Sequence, residues 1–390
     1  MRVKTLGELC NIASGGTPSR SQSSYWNDGT IPWIKIGNIK GKYVGNADEY
    51  ITQEGLDNSS AKMFSKGTIL YTIFATLGEV GILTIDACTN QAIAGIAIKD
   101  PSEVLSDYLF YYLKSKKAYV NGIGRGVAQN NINMSILRGF EVPLPSISEQ
   151  RQIVSVLDAL SKVIGFRQKQ LTELDNLIKA RFVEMFGNPI SNEMCWKQVP
   201  LSACVESIDS GKSFVCAPAT RQGDWPAVLK LSAATYGFYR PEENKAMLDD
   251  NQFVEEAAVR TGDLLFTRKN TPELVGMCAY VYDTPRKLMM PDLIFRINTS
   301  SSCNKVFLWK LINHDFFREC IQEIATGSAK SMSNISKERL LGLRIILPPM
   351  ELQEQFAIFV EQVDKSKVVV QKALDEAQTL FDSLMQEYFS

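Results

Sequence analysis

The sequence predicts an α+β molecule. It reads as a tandem pseudo-symmetric repeat of two mixed α/β domains, each followed by a long α-helix, with the two helices packing as an antiparallel coiled-coil-like pair. Three observations carry this. The chain matches itself at an offset of 195 near its start and 203 from residue 132 onward. Short β-branched runs, separated by Gly, Asn and Thr, surround one helical run in each copy. The last forty or so residues of each copy hold an apolar period near 3.5.

The self-match is dense. At the first offset Lys35 meets Lys230, Gly67 meets Gly262 and Leu70 meets Leu265. At the second, Leu144-Pro145 meets Leu347-Pro348, Gln150 meets Gln353, Leu171 meets Leu374 and Phe186 meets Phe389. The register runs without a gap from residue 132 to the C-terminus, whereas the regions before it have drifted. This divides the chain into 1–144, 145–188, 189–347 and 348–390. In the first domain 31–36, 68–74, 81–85 and 92–98 read as strands and 106–120 as helix. In the second, 227–231, 263–267, 276–282 and 293–297 read as strands and 306–324 as helix.

The long helices follow. In 146–186 the seam runs Ile153, Leu160, Arg167, Leu174, Arg181, interleaved with Leu157, Ile164, Leu171, Ile178 and Met185. Gly187-Asn188-Pro189 stops it, and Pro348-Pro349 starts its counterpart. About 40 residues at ~1.5 Å each give a rod of ~60 Å. Polar residues break the two seams at different levels: Arg167 and Arg181 in one, Lys367 in the other. Self-pairing would stack like charges, so the two rods are expected to pack on each other, with homodimerisation of each rod as the alternative.

Composition narrows the chemistry. The chain has 390 residues, 45% hydrophobic and 22% charged, with a net charge of -1, which suits a globular protein of two or three domains without a general basic field. The 8 cysteines form no Cys-x-x-Cys pair, and the start of the chain lacks an apolar leader, so a reduced, cytoplasmic setting is expected. A single histidine, His314, leaves little room for triad, zinc or imidazole acid–base chemistry. Ser210-Gly-Lys-Ser213 mimics the end of a phosphate-binding loop, but the Gly required at 206 is Glu206. Asn188-Pro189 precedes Ile190, so no aminomethyltransferase motif is present, and no catalytic or metal site is expected.

What repeats instead is a set of polar loops. In the first copy they carry Thr17, Ser19, Arg20, Lys35, Thr76, Arg125, Gln129, Asn130 and Asn131. In the second they carry Lys212, Arg221, Lys230, Arg268, Lys269, Asn270, Lys330, Ser331 and Asn334. Arg and Lys have the donor geometry for guanine edges, Asn and Gln for adenine, and Ser, Thr and glycine amides suit phosphates. The same residues also make ordinary turns. Residues 1–131 carry a net +2 and 188–334 a net -1, too little to hold DNA tightly through phosphates alone.

Taken together, these features resemble the specificity subunit of type I restriction–modification systems, over the whole chain. The most telling residues are Ser14-Gly-Gly-Thr-Pro18 with Ile31-Pro-Trp-Ile34, Lys66-Gly-Thr-Ile-Leu70 echoed by Thr261-Gly-Asp-Leu-Leu265, and Pro143-Leu-Pro-Ser-Ile-Ser-Glu-Gln150. Phe182-Val-Glu-Met-Phe-Gly-Asn-Pro189 and Leu347-Pro-Pro-Met-Glu-Leu-Gln353 add to these. The resemblance implies two target-recognition domains, each reading one half of a bipartite DNA sequence, with the helices setting the spacer. It implies a non-catalytic subunit that binds no cofactor itself. Its implied partners are two methyltransferase subunits using S-adenosylmethionine, and restriction subunits using ATP and Mg. Self-association of the isolated chain is also expected, from its apolar rods and near-zero net charge. A pseudo-symmetric adaptor that never touches DNA is the competing reading.

Overall fold

The computed structural model describes residues 2–124, 131–326 and 332–389. Six helices organise it: α1 (Ser106–Ser115), α2 (Lys117–Gly124), α3 (Ile147–Phe186), α4 (Lys305–Asn313), α5 (Asp315–Glu323) and α6 (Met350–Phe389). The chain divides into two compact units, Met1–Gln168 with Lys372–Ser390, and Lys169–Gln371. Each unit thus combines one sheet domain with the first half of one long helix and the second half of the other.

In the first unit, the strands run in the order Cys10–Ser14, Ile93–Ile98, Ile69–Thr72, Val80–Leu83 and Tyr43–Val44 across one sheet. A second sheet orders Glu49–Ile51, Ile31–Ile34, Ala87–Thr89 and Met63–Phe64. The inner strands Ile69–Thr72 and Val80–Leu83 are buried on both faces, which is why they read as continuous apolar runs and not as alternations. The second unit repeats the plan, with Val205–Ser210, Ile294–Thr299, Leu264–Thr267 and Cys278–Tyr280 in one sheet and Asn244–Ala246, Ala227–Leu229 and Leu288–Met289 in another.

The expected helical runs 106–120 and 306–324 are each broken once. Lys116 separates α1 from α2, and His314 separates α4 from α5. His314 adopts an extended backbone and its Nδ1 accepts from the Phe316 amide, so the chain's one histidine serves as a helix N-cap. Its ring is buried between Phe182 and Phe316, each 5.0 Å away, and burial lowers its pKa. Asn304 caps α4 by accepting from the Val306 amide at 2.8 Å. Ser146 and Glu149 form a capping box at the start of α3, and Gly187 ends that helix with φ +70°.

The long helices close each core. In the first unit Ile153, Leu157 and Leu160 of α3 join Phe381, Met385 and Phe389 of α6 against Tyr108, Tyr112 and the sheet. In the second, Phe356, Val360 and Val363 of α6 join Ile178, Phe182 and Phe186 of α3 against Phe307 and Leu311. These are the same positions, 203 residues apart, with the roles of the helices exchanged. Phe182 and Phe186 both contact Phe356, at 5.6 and 5.4 Å, and Asp175 bonds Lys367 at 2.6 Å. Rising numbers on α3 meet falling numbers on α6, so within this unit the segments run antiparallel.

Candidate nucleic-acid interface

A glycine fixes the path of the first polar loop in each copy. A Cβ on Gly16 would fall 2.3 Å from the Ser60 backbone, and one on Gly211 would fall 2.2 Å from the Met290 carbonyl oxygen. Only glycine permits so close an approach. The amides then anchor the loops: Gly16 donates to the Thr89 carbonyl at 2.9 Å, and Lys212 to that of Met290 at 3.0 Å. Beyond these points Thr17 bonds Gln91, whereas Ser19, Arg20 and Lys212 are exposed.

In the first unit two indoles brace this loop. Trp33 donates to the Gly16 carbonyl and Trp26 to that of Ser19. The Arg20 guanidinium lies 3.6 Å over the Trp26 ring and 2.6 Å from Glu49 Oε2, and Lys35 reaches the other oxygen of Glu49 at 2.5 Å. The Lys35 hydrogen bond, then Arg20, hold the Glu49 carboxyl below the usual carboxylate range despite some desolvation. Neighbouring loops also converge. Phe74 bridges Asn131, and the Ile132 amide donates to the Ile73 carbonyl. The tip Phe74-Ala75-Thr76 is exposed, with Ala75 at φ +61°, and the buried Thr72 hydroxyl ties its two sides together.

The second unit brings together the corresponding segments. Lys269–Asn270 pairs with Ser333–Asn334, and the Ile335 amide donates to the Arg268 carbonyl as Ile132 does to Ile73. Arg268 holds Asn334 Oδ1 through two nitrogens at 3.3 and 3.1 Å, with its guanidinium 4.9 Å from the Phe295 ring. Asn270 is buried, donates to Thr235 and accepts from the Thr271 amide, so it shapes the loop. Arg221 donates to the carbonyls of Trp225 and Arg286, an equally structural engagement. Lys230 faces Glu243 at 3.5 Å and lines a cavity of about 260 Å³ with Ser213 and Lys245. Arg125, Gln129, Asn130, Lys330 and Ser331 lie outside the described residues.

Sequence reasoning missed Glu49 and Glu243. Each lies on or beside a strand paired with the one that leads into the lysine, 14 and 13 residues along the chain, and no local pattern joins them. Among the described residues no group of three or more His, Cys, Asp or Glu side chains is placed to hold a metal, and no helix is long and apolar enough to cross a membrane. The arrangement offers hydrogen-bond donors on loops tied to the sheets.

Comparison with known proteins agrees with this geometry. The type I restriction modification DNA specificity domain matches residues 1–176 and 219–377. The MjaIX specificity subunit of Methanocaldococcus jannaschii is 33% identical over 49% of this chain, a match that spans 45% of that relative. The EcoKI specificity subunit of Escherichia coli is 18% identical over 98% of this chain and 86% of its own length. The S subunit of a type I restriction–modification system from M. genitalium shares the fold, with a TM-score of 0.61 and 14% identity over 100% of this chain and 96% of that one.

Proposed function

The chain belongs to the type I restriction–modification DNA specificity family, and from that premise we propose that it is the cytoplasmic, non-catalytic DNA-recognition subunit of such a complex. Each polar-loop cluster reads one half of a bipartite target, and the two long helices set the unread gap and dock two methyltransferase subunits, with restriction subunits joining the full assembly. The observation that supports this best is the duplication of one loop architecture with different side chains. The Ile73/Ile132 and Arg268/Ile335 backbone contacts match, while the residues displayed around them differ. Two readers of the same build with unlike surfaces suit two unlike half-sites. Thr17, Ser19, Arg20, Lys35, Thr76, Asn131, Lys212, Lys230, Arg268, Lys269 and Asn334 are the described candidates for DNA contact, and Asn270 and Arg221 hold the loops that carry them.

The test is co-expression with a methyltransferase subunit and S-adenosylmethionine, followed by single-molecule sequencing for methylated adenine. The expected result is a split motif with two defined halves around a fixed gap. An assembled, cofactor-supplied complex that leaves no motif would favour the adaptor reading.

A further inference from the structure

Lys35 and Lys230 occupy one place in the two copies. Each directly follows a strand and caps a single 3-10 turn, Ile36–Asn38 or Leu231–Ala233. Each ammonium is met by a glutamate, Glu49 at 2.5 Å and Glu243 at 3.5 Å. These glutamates are not register equivalents. Glu49 lies opposite Trp33, two residues before its lysine, whereas Asn244 lies opposite Leu229, which puts Glu243 beside Lys230. The diverged copies therefore reach one charge pair by different routes.

Folding alone does not account for it. All four side chains are about one-third exposed, and ion pairs at such solvent-screened sites add little to stability. Each carboxylate also takes a second donor, Arg20 at 2.6 Å for Glu49 and the Ser232 hydroxyl at 2.7 Å for Glu243. Both carboxyls are held below the usual range, Glu49 chiefly by Lys35 and Glu243 chiefly by Ser232, so both are ionised at neutral pH. Cations at a DNA-facing surface attract any phosphate, and each contact raises affinity without regard to sequence. A carboxylate bonded to such a cation withholds it from a loosely placed duplex and repels that duplex as well.

We propose that Glu49 and Glu243 are specificity-determining residues that restrain Lys35, Arg20 and Lys230, so that these cations reach phosphates only when the cognate half-site is seated. The inference rests on the DNA-recognition reading above. Its consequence is that loss of either carboxylate relaxes discrimination by strengthening the wrong complexes, not by weakening the right one.

The experiment uses the full chain assembled with its methyltransferase subunits, a random-sequence 30-base-pair duplex (roughly three helical turns), and a salt series. Glu49→Gln and Glu243→Gln should each bind that duplex about three- to tenfold more tightly, with the log–log salt slope steeper by about one per released cation. The double variant Glu243→Gln/Lys230→Gln should return to the wild-type affinity, whereas Glu49→Gln/Lys35→Gln should return only partway, because Arg20 also pairs with Glu49. Unchanged random-duplex affinity and slope in both single variants, with wild-type melting temperatures, would overturn the proposal and leave DNA recognition standing. A wild-type complex that leaves no methylation motif and binds no duplex would overturn both.

Discussion

Gln150 is fully buried, and its amide is satisfied on every side. Its Oε1 accepts from the Leu105 amide at 2.9 Å, and its Nε2 donates to the carbonyls of Glu103 and Pro145. Gln353 repeats this with the Asn304 amide and the carbonyls of Ser302 and Pro348. Each glutamine thus ties the first turn of a long helix to the residue that starts α1 or α4. Gln353→Ala strands the buried Pro348 carbonyl and leaves the partly buried Asn304 amide and Ser302 carbonyl without this partner, and a stranded buried group costs ~1–3 kcal/mol. Chemical denaturation should show a loss of at least about 2 kcal/mol, whereas Glu354→Ala, one residue on and exposed, should change stability by less than ~0.5 kcal/mol.

Lys310 carries a pH signature at the same scale. Its ammonium lies 3.4 Å from the Trp309 ring centroid, and burial lowers its pKa to about 8, with Asp364 and Asp175 opposing the shift and Lys367 adding to it. The unfolded chain therefore holds this proton more tightly than the folded one. Below pH 8 both states are charged and the folded state bears the desolvation in full. Between about pH 8 and 10.5 the folded state deprotonates first, and the penalty fades. Lys310→Met should be more stable than wild type at pH 7, and the difference should shrink toward pH 10. A pH-independent difference would mean that Lys310 titrates as an ordinary lysine.

At the scale of elements, the helices show what sequence could and could not reveal. Their existence, length and antiparallel pairing were legible, because an apolar period and a gapless repeat survive over the last quarter of each copy. The seam was only partly legible. A strict heptad places Arg181 in it, yet the structure puts Arg181 at its edge, with the guanidinium 5.7 Å over Phe359 and paired to Glu184. Phe182 and Phe186, at spacings of four, join the expected Ile178 in the buried stripe. A period of 3.5 suits two supercoiling helices, whereas spacings of four follow a helix that also faces a sheet domain. The heptad template ignored that second partner. Phe182 touches Phe186, Phe307, Phe356 and His314, so Phe182→Ala should destabilise by ~3–5 kcal/mol in denaturant melts. The loops were legible as clusters but not as networks: nothing local shows that Asn270 turns inward to Thr235 or that Glu49 gathers Lys35 and Arg20.

At the scale of the whole molecule, the proposed role of the helices as a spacer makes a geometric claim that can be separated from partner docking. Gly165 lies mid-helix with no atom within 4 Å of where a Cβ would sit, and the repeat places Val368 at the matching point of α6. Four residues inserted at both points lengthen each helix by ~6 Å and advance it by one turn plus about 40°, a phase error that a broad apolar stripe tolerates. At ~3.4 Å per base pair this corresponds to about two base pairs of target. Methylation mapping should then return the same two halves with a gap longer by one or two bases. Because each reading surface sits within its own compact unit, neither half should change. An unchanged gap would deny the helices the spacer role, whereas loss of methylation at both halves from a chain that still melts cooperatively would assign them to docking the methyltransferase instead.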